Sequence, residues 1–127
     1  MQIDPIYGAT WIFLYCPMDQ IIGAAQRLRG LSNQQRKGLT QHLENGFRDA
    51  PAHLAGRTIW NGGGSVDWVV IWVNPVGACV QATLAHECFH GVVTILHSRG
   101  LSLVDASDEA YAYYLSWAVS GWEEGVK

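Results

Sequence analysis

His86-Glu87-Cys88-Phe89-His90 sets two imidazoles and a carboxylate within five residues. On a helix, side chains four apart stand one turn above each other, so both imidazoles can face one metal ion. Glu87, about 100° further round the helix than His86, would reach a water on that ion and take its proton. Zinc is the ion that such a nitrogen-rich set favours, and one ion per chain is expected. The motif constrains only three positions, so a plain helix with two unrelated histidines is the competing reading.

The surrounding helix narrows the choice. At about 100° per residue, Leu84, Ala85, Cys88, Phe89, Val92, Ile95 and Leu96 share one apolar arc. Thr83, His86, Glu87, His90, Thr94 and His97 fall opposite. The stretch from Val73 to Ala85 carries no charge, so the helix is expected to be largely enclosed. Polar groups in such a place need a partner, and a metal is an economical one. His97 stands seven residues past His90, about 10 Å along the axis, too far to share the ion.

The third ligand is the deciding question. Glu109, separated from His90 by eighteen residues, opens the next helical stretch in Ser107-Asp108-Glu109-Ala110-Tyr111-Ala112-Tyr113. The pattern H-E-x-x-H-x18-E resembles that of the gluzincins, the zinc peptidases that include thermolysin and the large aminopeptidases. In that group a second helix turns back and delivers the glutamate, and Gly100 with the loop through Ala106 supplies such a turn here. The metzincin pattern fails, because Val93 and Leu96 stand where it requires glycine and histidine.

The resemblance covers Gln81 to Val119, and it is closest to short metallopeptidase-like proteins encoded by bacteriophages, which carry a similar helix followed by a "DEA-AY" helix. It implies His86, His90 and Glu109 as zinc ligands and Glu87 as the catalytic base. It also implies an edge strand beside the active-site helix that holds an extended peptide; the strand preceding the helix fits that place. One departure stands out. Thermolysin-like enzymes carry an aspartate four residues past the glutamate ligand, and this chain has Tyr113, a weaker acceptor for an imidazole N–H.

Other residues have plainer readings. Asp108 competes as third ligand and Asp105 more remotely, but both suit a helix cap or first turn. Cys88 reads as inert core, and Cys79 lies two turns from His86, too far to ligate with it. Three protein ligands would leave a fourth position for water, as in catalytic zinc sites. Donors to the oxyanion are not identified; Tyr111, Tyr113 and His97 are the candidates.

These residues need elements to hold them. Thr10 to Cys16 reads as a buried strand. Asp19 is expected to cap a helix ending at Gly30, and Ser32 with Gln35 forms a capping box for a second, closing near Gly46. Arg57 to Trp60 and Val66 to Val73 read as a hairpin around Gly62-Gly63-Gly64-Ser65. On the second of these strands Trp68, Val70 and Trp72 alternate with Val69, Ile71 and Val73, so both faces are apolar. Either helices cover both or one face meets a partner. A helix from about Ala78 to Arg99 follows. The last helix, capped by Asp105 or Ser107, reaches about Ser120, with Tyr111, Tyr114, Trp117 and Trp122 as its aromatic packing.

The order β-α-α-β-β-α-α is an α+β fold. The resemblance narrows it to a minimal one-lobed zincin-like domain over residues 1–127. In that domain a small, mostly antiparallel sheet packs on the active-site helix, and a second C-terminal helix carries a metal ligand.

At 127 residues and 49% hydrophobic, the chain suits one ordered globular domain. A net charge of −3 argues against a nucleic-acid binder. Arg27, Arg29, Arg36, Lys37 and Arg48 read as solvated helix surface. The apolar run at Thr10 to Cys16 is too short to span a bilayer. Cys16, Cys79 and Cys88 show no paired spacing, and no signal peptide is legible, which points to the cytoplasm, that of the host for a phage protein. A peptide or protein substrate is expected, with self-association or a protein partner through the Trp68/Trp72 face as the further contact. The alternative function is a zinc-stabilised binding or assembly module, such as a phage structural factor, with weak or no catalysis.

Overall fold

The structure, a computed structural model, describes residues 1–61, 66–76, 79–103 and 108–125, the side chains of 123–125 excepted. It is α+β. Strands β1 (Gln2–Ile3), β2 (Thr10–Tyr15), β3 (Gly56–Trp60) and β4 (Trp68–Val73) form one sheet in the order β1-β2-β4-β3. Two of its three pairings are antiparallel, but the long central one, β2 with β4, is parallel. A parallel pair needs a crossover, and the chain makes it through a 3-10 turn (Met18–Gln20), α1 (Ile21–Gln26), α2 (Asn33–Phe47) and the edge strand β3. Helices α3 (Val80–Ser98) and α4 (Asp108–Gly125) follow.

Helices cover both faces of the sheet. Ile12, Leu14, Ile59, Val70 and Trp72 pack with Ile21, Ala25, Leu39 and Leu43 of α1 and α2. Trp11, Phe13, Val69, Ile71 and Val73 pack with the buried residues of α3 and α4. Of the two readings of the Trp68/Trp72 face, burial under the chain's own helices describes Trp72, whose indole donates to the Cys16 carbonyl at 2.9 Å. Trp68 is half-buried, its ring 5.2 Å from that of His42.

Several local expectations change. Asp19 does not cap α1; it sits in the 3-10 turn, and no side chain caps the helix start. The end of α1 is held instead by Arg36, whose guanidinium donates to the carbonyls of Gln26 and Leu28 at 2.7 Å each. That residue of the basic group is therefore a strut between α1 and α2. The capping box at Ser32 and Gln35 is present in both directions, at 2.8 and 3.1 Å. The strand before α3 is not at an edge: β4 lies between β2 and β3, and β3 is the edge. The expected turn at Gly62 to Ser65 and the caps at Asp105 and Ser107 lie outside the described residues. No helix among the described residues is long and apolar enough to cross a membrane.

Helix α3 is rotated from its expected setting. Its buried stripe is Leu84, Glu87, Cys88, Gly91, Val92, Ile95 and Leu96, whereas Ala85 and Phe89 are exposed. The reason is Gly91. A Cβ there would stand 2.7 and 2.8 Å from the Cη2 and Cζ3 carbons of Trp11, so the absence of a side chain lets the helix approach the sheet.

Helix α4 is pinned from the other side. Trp11 Nε1 donates to Tyr114 Oη at 2.9 Å, and Tyr114 Oη donates to Asp4 Oδ2 at 2.6 Å. Burial, reinforced by the hydrogen bond to Asp4, holds the Tyr114 phenol well above its ordinary pKa, so it stays a donor.

Gly91→Ala separates two opposed effects. Alanine favours a helix by about 1 kcal/mol over glycine, while overpacking a filled core costs about 1–3 kcal/mol. With the Trp11 ring fully buried, net destabilisation is expected in chemical denaturation. A more stable variant would show that the ring yields freely and that this contact does not set the helix.

Candidate metal and base site on α3

Four residues of helical spacing put His86 and His90 on the exposed side of α3. Their Nε2 atoms stand 3.0 Å apart, with ring centroids at 4.6 Å and planes crossing at 79°. Two nitrogens each about 2.0–2.1 Å from one zinc, at roughly 95–109°, lie about 3.0–3.3 Å apart. The separation is therefore compatible with two ligands of one ion. The same separation suits an N–H···N hydrogen bond between neutral rings, the form in which imidazole binds a metal.

Glu87 turns inward. It is 8% exposed, and Thr58 of β3 meets it twice: Thr58 Oγ1 lies 2.7 Å from Glu87 Oε2 and 2.8 Å from the Glu87 carbonyl. A hydroxyl has one proton, and both neighbours are oxygens. With Glu87 ionised, Thr58 donates to one of them. With Glu87 protonated, Oε2 donates to Thr58 and Thr58 donates to the carbonyl, so both contacts are satisfied. The arrangement accepts either state of the carboxyl.

Gly56 makes this contact between strand and helix close. A Cβ there would meet Thr83 Cγ2 at 2.6 Å, the Trp72 carbonyl at 3.0 Å and Glu87 Cγ at 3.1 Å. Beside it opens a shallow cavity of about 380 Å³, lined by Leu54, Ala55, Gly56, Thr83, His86 and Glu87 among others. A ligand in that cavity would have Thr83, His86 and Glu87 on one wall and Leu54, Ala55 and Gly56 on the other.

The structure does not bring Glu109 to the histidines. Glu109 and Asp108 both lie exposed in the first turn of α4. Among the described residues no three His, Cys, Asp or Glu side chains converge closely enough to hold an ion. Asp105 lies outside the described residues. Of the candidate oxyanion donors, Tyr111 is buried and donates to the Leu101 carbonyl at 2.8 Å, which removes it. Tyr113 and His97 are exposed.

Cys88 is fully buried, and burial, with a smaller effect from Glu87, pushes its thiol up to about 12. It is inert core, as its place on the helix leads one to expect.

Thr58 and Gly56 escaped the sequence reading. Period-two alternation puts Ile59 toward α1 and α2, hence Gly56 and Thr58 toward α3. A hydroxyl on the inward face of a strand with helices on both sides is the signal that was available.

Thr58→Val keeps shape and removes the hydroxyl, leaving a buried carboxyl short of a partner. A loss of about 1–3 kcal/mol is expected in denaturation. In a Glu87→Ala background the same change should cost less than half as much, because the carboxyl is gone and only the bond to the residue-87 carbonyl remains. Equal costs in both backgrounds would mean that the contact is incidental.

Compared with protein-family models, with curated proteins and with solved structures, the chain matches none.

Proposed function

We propose that the chain is a zinc-dependent peptidase on a minimal zincin-like fold, with His86 and His90 as ligands, Glu109 as the third and Glu87 as the base. The observation that carries this reading is the pair of Nε2 atoms at 3.0 Å on an exposed helix face, next to a carboxylate held by Thr58. The separation of the two imidazole nitrogens supports their sharing an ion. The carboxylate of Glu109, in the first turn of the helix packed on α3, completes the set on metal binding in this reading.

Zinc in this place supplies Lewis-acid activation of a water and of the amide carbonyl. Glu87 takes a proton as the water oxygen attacks the carbonyl carbon and the carbonyl electron pair moves to oxygen. The Thr58 hydroxyl holds Oε2 throughout, so the proton is taken and returned on the other carboxyl oxygen. As the C–N bond breaks, Glu87 returns the proton to the departing amine nitrogen. The substrate in this reading is a peptide lying in the shallow cavity beside Gly56, Thr83, His86 and Glu87.

A second reading has its own support. The cavity is shallow and the chain offers one lobe, so zinc tying α3 to α4 in a binding or assembly module would use the same ligands.

Zinc should bind at about one equivalent per chain, and His86→Ala with His90→Ala should abolish it in a chelator-competition titration. Glu109→Ala is expected to weaken zinc at least about tenfold, and Asp108→Ala to leave it nearly unchanged. Full zinc in the double alanine variant ends the assignment, and the reverse order for the acids moves the third ligand to Asp108.

Glu87→Gln should keep zinc and the fold while losing peptide hydrolysis, since an amide of that shape is no base. Hydrolysis that survives the change overturns the mechanism. Zinc-loaded wild type that cleaves no member of a broad peptide library favours the binding module.

A further inference from the structure

A second cavity, of about 340 Å³, lies between α4 and the turn that follows β1. Its size falls in the range of small-molecule sites, about 300–1,000 Å³. Asp4, Ile6, Tyr7, Tyr113, Tyr114 and Trp117 line it, and neither the α3 histidines nor Glu87 or Glu109 do so. The Tyr7 and Tyr114 rings stand 4.9 Å apart and are tilted by 33°; those of Tyr114 and Trp117 stand 5.9 Å apart at 49°. All three rings border the space and pack on one another. Tyr113, 74% exposed, stands at its mouth.

The charge at this cavity comes from Asp4, which is 3% exposed. Its carboxyl accepts four hydrogen bonds: from the backbone N–H of Ile6 (2.9 Å), Tyr7 and Ala9 (3.1 Å), and from Tyr114 Oη (2.6 Å). It donates none, so it is an ionised carboxylate with its lone-pair positions filled. The guanidinium of Arg99, bonded to the carbonyls of Tyr7 and Val66, is not part of the lining.

Aromatic walls over a fixed negative charge attract a cation. An ammonium or guanidinium ligand would bring N–H groups, and the carboxylate has no acceptor position left for them. A quaternary ammonium brings none; it needs only the field of Asp4 and the faces of the rings. We propose that this cavity binds the quaternary ammonium headgroup of a small molecule. The site is separate from the α3 histidines and stands whether or not the chain is a peptidase.

The test is a calorimetric titration of the full chain with choline, with chelator present so that the histidine site does not contribute, alongside amide and indole NMR shifts. Saturable binding with a Kd on the order of 1 mM is expected, with shifts at Tyr113 and Trp117. The neutral isostere, with tert-butyl in place of trimethylammonium, should bind at least about tenfold more weakly. Ethanolamine, which carries N–H donors, should also bind more weakly than choline. Trp117→Ala should cost choline about tenfold. Should that variant fail to fold, Tyr113→Ala, at an exposed ring, should still weaken choline severalfold. No saturable binding, equal affinity for choline and the neutral isostere, or choline affinity unchanged in Tyr113→Ala overturns the proposal.

Discussion

Helix α3 approaches the sheet at two positions that lack side chains, and the arrangement of the candidate site depends on this seating. Gly91 lets the helix meet the six-membered ring of Trp11, and Gly56 lets the edge strand come up against Thr83 and Glu87. With both contacts made, the rotation of the helix is set: Glu87 points toward β3, and His86 and His90 point outward one turn apart. A rotation by a single residue would bury both His86 and His90 in one direction and release Glu87 to water in the other. Core packing thus decides which members of the motif face solvent, because protein interiors are close-packed and tolerate few alternatives.

The inward turn of Glu87 has an energetic cost that the strand offsets. A carboxyl removed from water without partners is unfavourable by several kcal/mol. The Thr58 hydroxyl supplies a partner in either protonation state, and among the described residues no buried side-chain nitrogen or oxygen lacks one. For the proposed peptidase this matters chemically. A base must gain and lose a proton during each turnover, and a partner able to donate or accept avoids a penalty at each step.

A second network joins α4 to the sheet on the same face as α3. Asp4 organises the turn after β1 through three backbone N–H groups, and the same carboxylate receives the Tyr114 phenol, which in turn receives the Trp11 indole. Trp11 therefore meets α3 through its six-membered ring at Gly91 and α4 through its N–H at Tyr114. One residue of the central strand β2 links the helix that carries the histidines to the helix that carries Glu109.

The residues of the candidate site stood out in the sequence by their local spacing. The i,i+4 histidines, the adjacent glutamate, the capping box at Ser32 and the hairpin before α3 are patterns contained within a few residues, and local geometry enforces them. The α+β class followed from the order of such segments. The parallel pairing of β2 with β4, the edge position of β3, the rotation of α3 and the part played by Thr58 were not legible. Each depends on contacts between residues far apart in the chain: Thr58 with Glu87, Trp11 with Gly91 and Tyr114, Asp4 with Tyr114. A glycine in a helix and a threonine in a strand have no distinctive local signal, since their importance comes from what approaches them. The sequence by itself determined that two imidazoles and a carboxyl stand within one turn of a helix. Only the tertiary structure decided which faced solvent and which was held inward, because that choice is made by packing across the sheet.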